Sequence, residues 1–184
     1  GEDMSHKEFK FGWARDINLG DIKAWAFRIS YVGDLGWEIY IPMKHGQEVW
    51  DLIAEAGKPH GIVPAGIGVY GTTGRLEKGY RLFGAELEGE YTPIEAGLMR
   101  PKVKSQDFIG KDVLVKLREK DPGAIMCTLT VDNHQSSINE PRFMLGGEPI
   151  LTLQGNRIVD AHSRSSYVTS AGSGPSTGKH ILMA

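Results

Sequence analysis

Glu38 has the residue type and setting best suited to chemistry in this chain. It is the one carboxylate near the end of RISYVGDLGWEIYIP, residues 28–42, and it sits among aromatic residues on the returning arm of an expected hairpin. A carboxylate accepts two hydrogen bonds at once, so a flat ring with a polar edge would fit there. Counting alternation, Lys23, Trp25, Phe27, Ile29 and Tyr31 share one face of the first strand, and Trp37, Ile39 and Ile41 share one face of the second. Glu38 then points the other way, together with Tyr40. Gly33, Asp34 and Gly36 supply the turn. The residues alone leave a second reading open, a solvated carboxylate on the outer face of an edge hairpin.

Other constellations fail on spacing. SGPSTGKH resembles a phosphate-binding glycine loop, but Ser173 stands where its first glycine belongs and His180 follows Lys179, so a loop between two strands is expected. The six histidines show no metal-ligand spacing, and no metal site is expected. No G-x-S-x-G nucleophile turn occurs, and Asp16 and Asp34 look like turn carboxylates. No catalytic residue is nominated. Cys127, the lone cysteine, lies in AIMCTLTV and is expected to pack as a small hydrophobe.

The elements expected to hold Glu38 are strands over residues 7–16 and 21–43, then an amphipathic helix over 45–56 ended by Gly57. A glycine-interrupted, partly helical stretch follows, and residues 86–101 lack apolar periodicity. After Gly110 comes the short helix DVLVKLREK, stopped before Pro122. The remainder, AIMCTLTV, PILTLQ, RIVDAH, SSYVTSA and KHILMA, reads as short strands with a turn at Gly155–Asn156, the pattern of a small β-barrel or sandwich. KHILMA reads as a strand stopped midway, which would leave an edge open to pairing with another chain and hence to oligomer formation.

The stretch around Glu38 resembles the Y-x-G-E-x-G-x-E-I signature of the aminomethyltransferase family, which comprises the glycine-cleavage T-protein and the folate-binding portions of dimethylglycine and sarcosine dehydrogenases. Tyr31, Gly33, Gly36, Glu38 and Ile39 match, and Asp34 replaces the first acid. Residues 66–114 resemble the family's R-L-E-x-G…G…T-P-x-E-A-G-L…F-I-G-K-x-x-L segment. RLEKGYR, and WARDI near residue 15, are closer to the dehydrogenase branch. The resemblance implies that Glu38 holds the pterin ring of tetrahydrofolate, with Tyr31 and Arg75 as pocket walls and Phe83 as their aromatic neighbour. Phe83 lacks the polar handle of the Tyr or Trp found there in relatives. The residues leave other roles open: Tyr31 as core, and Arg75 as partner of an acid such as Glu77 or Glu86. Glu95 is expected to organise a turn.

The implied fold is α+β: part of a folate-binding aminomethyltransferase domain over 1–100, then a truncated β-barrel domain over 101–184. The implied function is tetrahydrofolate binding in a one-carbon transfer enzyme of the dimethylglycine or sarcosine dehydrogenase kind, acting on a small methylamine or aminomethyl substrate. FAD would belong to an upstream part of such a parent. Relatives continue past both ends, and the family's catalytic aspartate loop has no counterpart among these residues. Two alternatives stand: a stand-alone T-protein-like aminomethyltransferase on a lipoyl-carried substrate, and a non-catalytic interaction module with a vestigial pocket. A third branch is marked by K-G-C-Y-x-G-Q, which is not found.

At 184 residues and 40% apolar the chain can bury a substantial core. A net charge of −2 gives no electrostatic case for nucleic acid or an anionic membrane, and no apolar run nears the ~18 residues of a spanning helix. Cytoplasm or mitochondrial matrix is the expected location.

Overall fold

The computed structural model describes residues 2–98, 103–133, 135 and 138–184. Helices and two small sheets divide between two units, Gly1–Tyr70 and Gly71–Ala184.

The first unit is built on an antiparallel sheet of β1 (Ala14–Leu19), β2 (Ile22–Phe27) and β3 (Glu38–Tyr40), in that order. Leu19 pairs with Ile22 across a two-residue turn, and Gly20 takes the φ of +60° that its first position needs. In β2 the buried side chains are Ile22, Ala24 and Ala26, while Lys23 and Trp25 face outward. Lys23, Trp25 and Phe27 thus share the outer face, while the strand expected over 21–43 breaks at residues 28–37, so Ile29 and Tyr31 lie past the end of β2. The inner face can use alanines because Phe9 supplies the bulk: it packs with Ile17, Ala24 and Ala26, backed by Met4, Leu19, Trp37 and Ile41. Residues 7–13 form turns rather than a strand, held by the Arg15 guanidinium stacked 4.2 Å from the Phe9 ring and by buried Arg28, which donates to the Phe9 carbonyl.

Helix α1 (Gly46–Gly57) follows a 3₁₀ turn, Met43–His45. Of its expected apolar positions Val49 is buried and Leu52 reaches Gly20, leaving 3.2 Å between its Cδ1 and a Cβ placed there. Trp50 stays exposed. The glycine-rich stretch resolves into a π-helical turn, Val69–Gly74, running into the short α2 (Arg75–Lys78). Gly79, at φ +73°, ends α2, with the Tyr80 N–H returning to the Arg75 carbonyl at 2.8 Å.

In the second unit, α3 (Lys111–Arg118) precedes a sheet of β4 (Thr128–Val131), β5 (Ser170–Gly174) and β6 (Lys179–Met183), ordered β4-β6-β5. The β6 strand is central and buried from His180 to Met183, packing Ile181 and Met183 with Leu76 and Met126. The expected raw edge at KHILMA is therefore paired on both sides, and the open edges belong to β4 and β5. No closed barrel occurs among the described residues. Among the described residues PILTLQ meets RIVDAH in the isolated bridge Leu151–Arg157, around a turn at Gly155, and SSYVTSA meets RIVDAH through Val159–Ser165 and PILTLQ through Pro149–Tyr167. SGPSTGKH forms the β5–β6 turn, where Glu77 accepts from the Ser176 and Thr177 N–H groups at 2.8 and 2.9 Å. Cys127 is exposed, not packed: in the edge segment entering β4 its side chain points outward while neighbouring Met126 turns into the core.

Candidate functional site

Glu38 opens β3 opposite Phe27, on the outer, aromatic face of the first sheet. Trp25 lies 5.9 Å from Phe27 and 5.2 Å from Tyr40 between ring centroids, so the carboxylate stands at the end of a packed row of rings. Both of its oxygens are engaged. The Tyr40 hydroxyl donates to Oε2 at 2.7 Å, and the Tyr70 hydroxyl donates to Oε1 at 2.7 Å. Tyr31 packs against Tyr70, with ring centroids 5.5 Å apart.

The electrostatics follow from those contacts. The hydroxyl of Tyr40, then that of Tyr70, hold Glu38 below its ordinary pKa, outweighing the smaller opposing effect of burial. Burial and the bond to the Glu38 anion push the Tyr70 phenol up to about 12, and the same anion raises Tyr40. Near neutral pH this is one carboxylate anion and two neutral phenols. Such a group accepts hydrogen bonds from a donor edge, while the rings beside it offer flat faces for stacking.

The expected site residues divide between the units. Glu38 and Tyr31 are drawn together around Tyr70. Arg75 and Phe83 belong to the second unit. The Arg75 guanidinium is buried and each of its nitrogens donates: Nε to the Gly71 carbonyl at 2.9 Å, Nη1 to Glu86 Oε2 at 2.9 Å, and Nη2 to Ser170 Oγ at 2.7 Å. Glu86, also buried, accepts in addition from the Leu82 N–H at 2.9 Å and from Thr169 Oγ1 at 2.7 Å. This is the pairing with an acid that the residues had left open. Phe83 is 85% exposed. Glu95 organises its turn, accepting from the Thr92 N–H at 2.8 Å and pairing with Arg164.

Sequence reasoning placed Tyr40 on Glu38's side but gave it no part, and it passed over Tyr70. Tyr70 lies 32 positions from Glu38, inside a glycine-rich stretch whose path no local periodicity fixes. Its one signal is a lone aromatic within GIGVYG, at the start of a π-helical turn.

A sequence model of the GCVT N-terminal domain matches residues 1–104. That covers more than half of the chain, which belongs to the aminomethyltransferase family. Among individual relatives, the aminomethyltransferase of Thermoanaerobacter pseudethanolicus is 42% identical over 115 residues, 61% of this chain and 31% of that protein. The aminomethyltransferase of Halalkalibacterium halodurans is 30% identical over 178 residues, 95% of this chain and 44% of that protein. Mitochondrial dimethylglycine dehydrogenase of Mus musculus is 37% identical over 133 residues, 71% of this chain and 15% of that protein. The chain thus spans 31–44% of the length of these aminomethyltransferases. No helix among the described residues is long and apolar enough to cross a membrane.

Proposed function

We propose that this chain is the tetrahydrofolate-holding portion of a one-carbon transfer enzyme whose parent resembles dimethylglycine or sarcosine dehydrogenase. One observation carries the reading: Glu38, at the position of the family's pterin-binding acid, is an anion on an aromatic face with its orientation fixed from two sides. A pterin presents a ring N–H beside an exocyclic amine, and a carboxylate accepts from both. Tyr31 serves as an aromatic wall beside Tyr70; Phe83, implied by the resemblance alone, exposes its ring in the second unit. The role implied for Arg75 becomes indirect, because its donors already hold Glu86 and Ser170.

In such a parent, a methylamine oxidised elsewhere gives an iminium, and the folate amine captures its one-carbon unit. This chain's contribution is positional, holding one reactant in attack geometry. The dehydrogenase-like parent is favoured by RLEKGYR and by the dimethylglycine dehydrogenase match; the division of the parent near residue 100 is favoured by the family match ending at 104. The 42% identity to a bacterial aminomethyltransferase favours a second reading, an aminomethyltransferase acting on a carrier-bound aminomethyl group.

The test is the parent protein supplied with tetrahydrofolate and either dimethylglycine or sarcosine, with methylenetetrahydrofolate measured. Formation that falls in Glu38→Gln supports the proposal. Turnover confined to a lipoyl-carried aminomethyl group moves the assignment to the second reading.

A further inference from the structure

The acceptor arithmetic of Glu38 assigns work to two residues that the family signature leaves out. An ionised carboxylate has about four lone-pair sites, two on each oxygen. Tyr40 occupies one on Oε2 and Tyr70 one on Oε1. One site remains on each oxygen, which matches a ligand edge bearing two adjacent N–H donors. The two phenols arrive from different places, Tyr40 from two positions along β3 and Tyr70 from the π-helical turn, so together they fix both the position and the plane of the carboxylate. Tyr70 is itself seated against the Tyr31 ring. The clamp is therefore braced from outside the strand that carries Glu38.

We propose that Tyr40 and Tyr70 are positioning residues for Glu38, each phenol holding one carboxylate oxygen so that the remaining acceptor site on each oxygen is left for the paired donor edge of the ligand. This rests on the reading of Glu38 as the ligand's acceptor. The ionisable groups set against Glu38 are Tyr40 on its own strand and Tyr70 from the π-helical turn, with Tyr31 behind Tyr70. Their two hydroxyl hydrogen bonds lower the pKa of Glu38, so the carboxylate stays ionised to a lower pH than it would without them. The same device confers selectivity: a carboxylate held as an anion takes a donor edge and rejects an isosteric ring edge that presents acceptors.

The test uses Tyr40→Phe, Tyr70→Phe and the double variant, which keep the rings and remove only the hydroxyls. The Glu38 side-chain carbon is followed by NMR through an acid titration without ligand. Binding of 5-formyltetrahydrofolate is then measured at pH 7 and pH 5, with Glu38→Ala alongside. Each variant is expected to raise the Glu38 midpoint, the double more than either single. Affinity is expected to drop about three- to tenfold per hydroxyl, more at pH 5 than at pH 7. An unmoved midpoint overturns the clamp, and if Glu38→Ala still weakens binding, the pterin reading survives it. A raised midpoint with wild-type binding at both pH values overturns the positioning role. Wild-type affinity in Glu38→Ala overturns the pterin reading and, with it, the ligand side of this proposal.

Discussion

Glu38 accepts from two hydroxyls that lower its pKa, and on the proposed reading this presents an oriented anion to the ligand. An ion pair would fix a counter-charge beside the binding edge; two phenols take one acceptor site on each oxygen and add no charge. If Glu38 makes charge-assisted bonds to a pterin, Glu38→Ala should cost about 1.5–3 kcal/mol of folate binding, read by calorimetric titration. Arg75 and Glu86 show the opposite arrangement, a buried pair whose donors and acceptors are spent on each other and on Ser170, Thr169 and Leu82. Glu86→Ala would leave the guanidinium buried without its counter-charge, and a loss of about 3–5 kcal/mol is expected in urea unfolding. Burial pushes the Glu86 carboxyl up, but hydrogen bonds from Ser170, Thr169 and the Leu82 N–H, with the Arg75 charge, bring it below its ordinary value of 4.5. Its contribution to stability is therefore complete above pH 4.5 and is lost as pH falls through the lowered value. Acid unfolding followed by circular dichroism should show that loss in wild type and not in Glu86→Ala.

At the scale of elements, what was legible in the sequence was what periodicity encodes. The helix after residue 45, its end at Gly57 and the short helix after Gly110 all follow from local signals, and Glu38 and Tyr40 do share a face; the tight turn expected at Gly33–Gly36 is instead a bent connection over 28–37. Periodicity could not say which face of β2 is core, because two small alanines become core only when a distant Phe9 covers them. Nor could it give the partners of KHILMA. That strand lies between β4 and β5, contacts set by long-range pairing. Tyr70 was illegible for a related reason, since its part depends on where a glycine-interrupted turn leads the chain. Glycine also marks close packing in β5: a Cβ on Gly172 would lie 2.9 Å from Leu76 Cδ1 and 3.2 Å from Thr72 Cγ2. Gly172→Ala should therefore destabilise by about 1–3 kcal/mol through overpacking, seen as a lower urea midpoint.

For the whole molecule, family membership and span must be read together. The chain is an aminomethyltransferase-family protein covering 31% of one bacterial relative and 15% of a mammalian dehydrogenase. Met43, Ile67, Phe83, Ile109 and Leu153 stand exposed, and β4 and β5 are the edge strands of their sheet among the described residues. Self-association that grows with concentration is expected, measured by sedimentation velocity over a dilution series; a monomer throughout would show that these surfaces are not adhesive. The central claim is that Glu38 holds the pterin edge of a folate, and calorimetric titration of the chain with 5-formyltetrahydrofolate, against Glu38→Ala, tests it most directly. Saturable binding that weakens at least tenfold in the variant is the predicted result. Equal binding by both chains would contradict it.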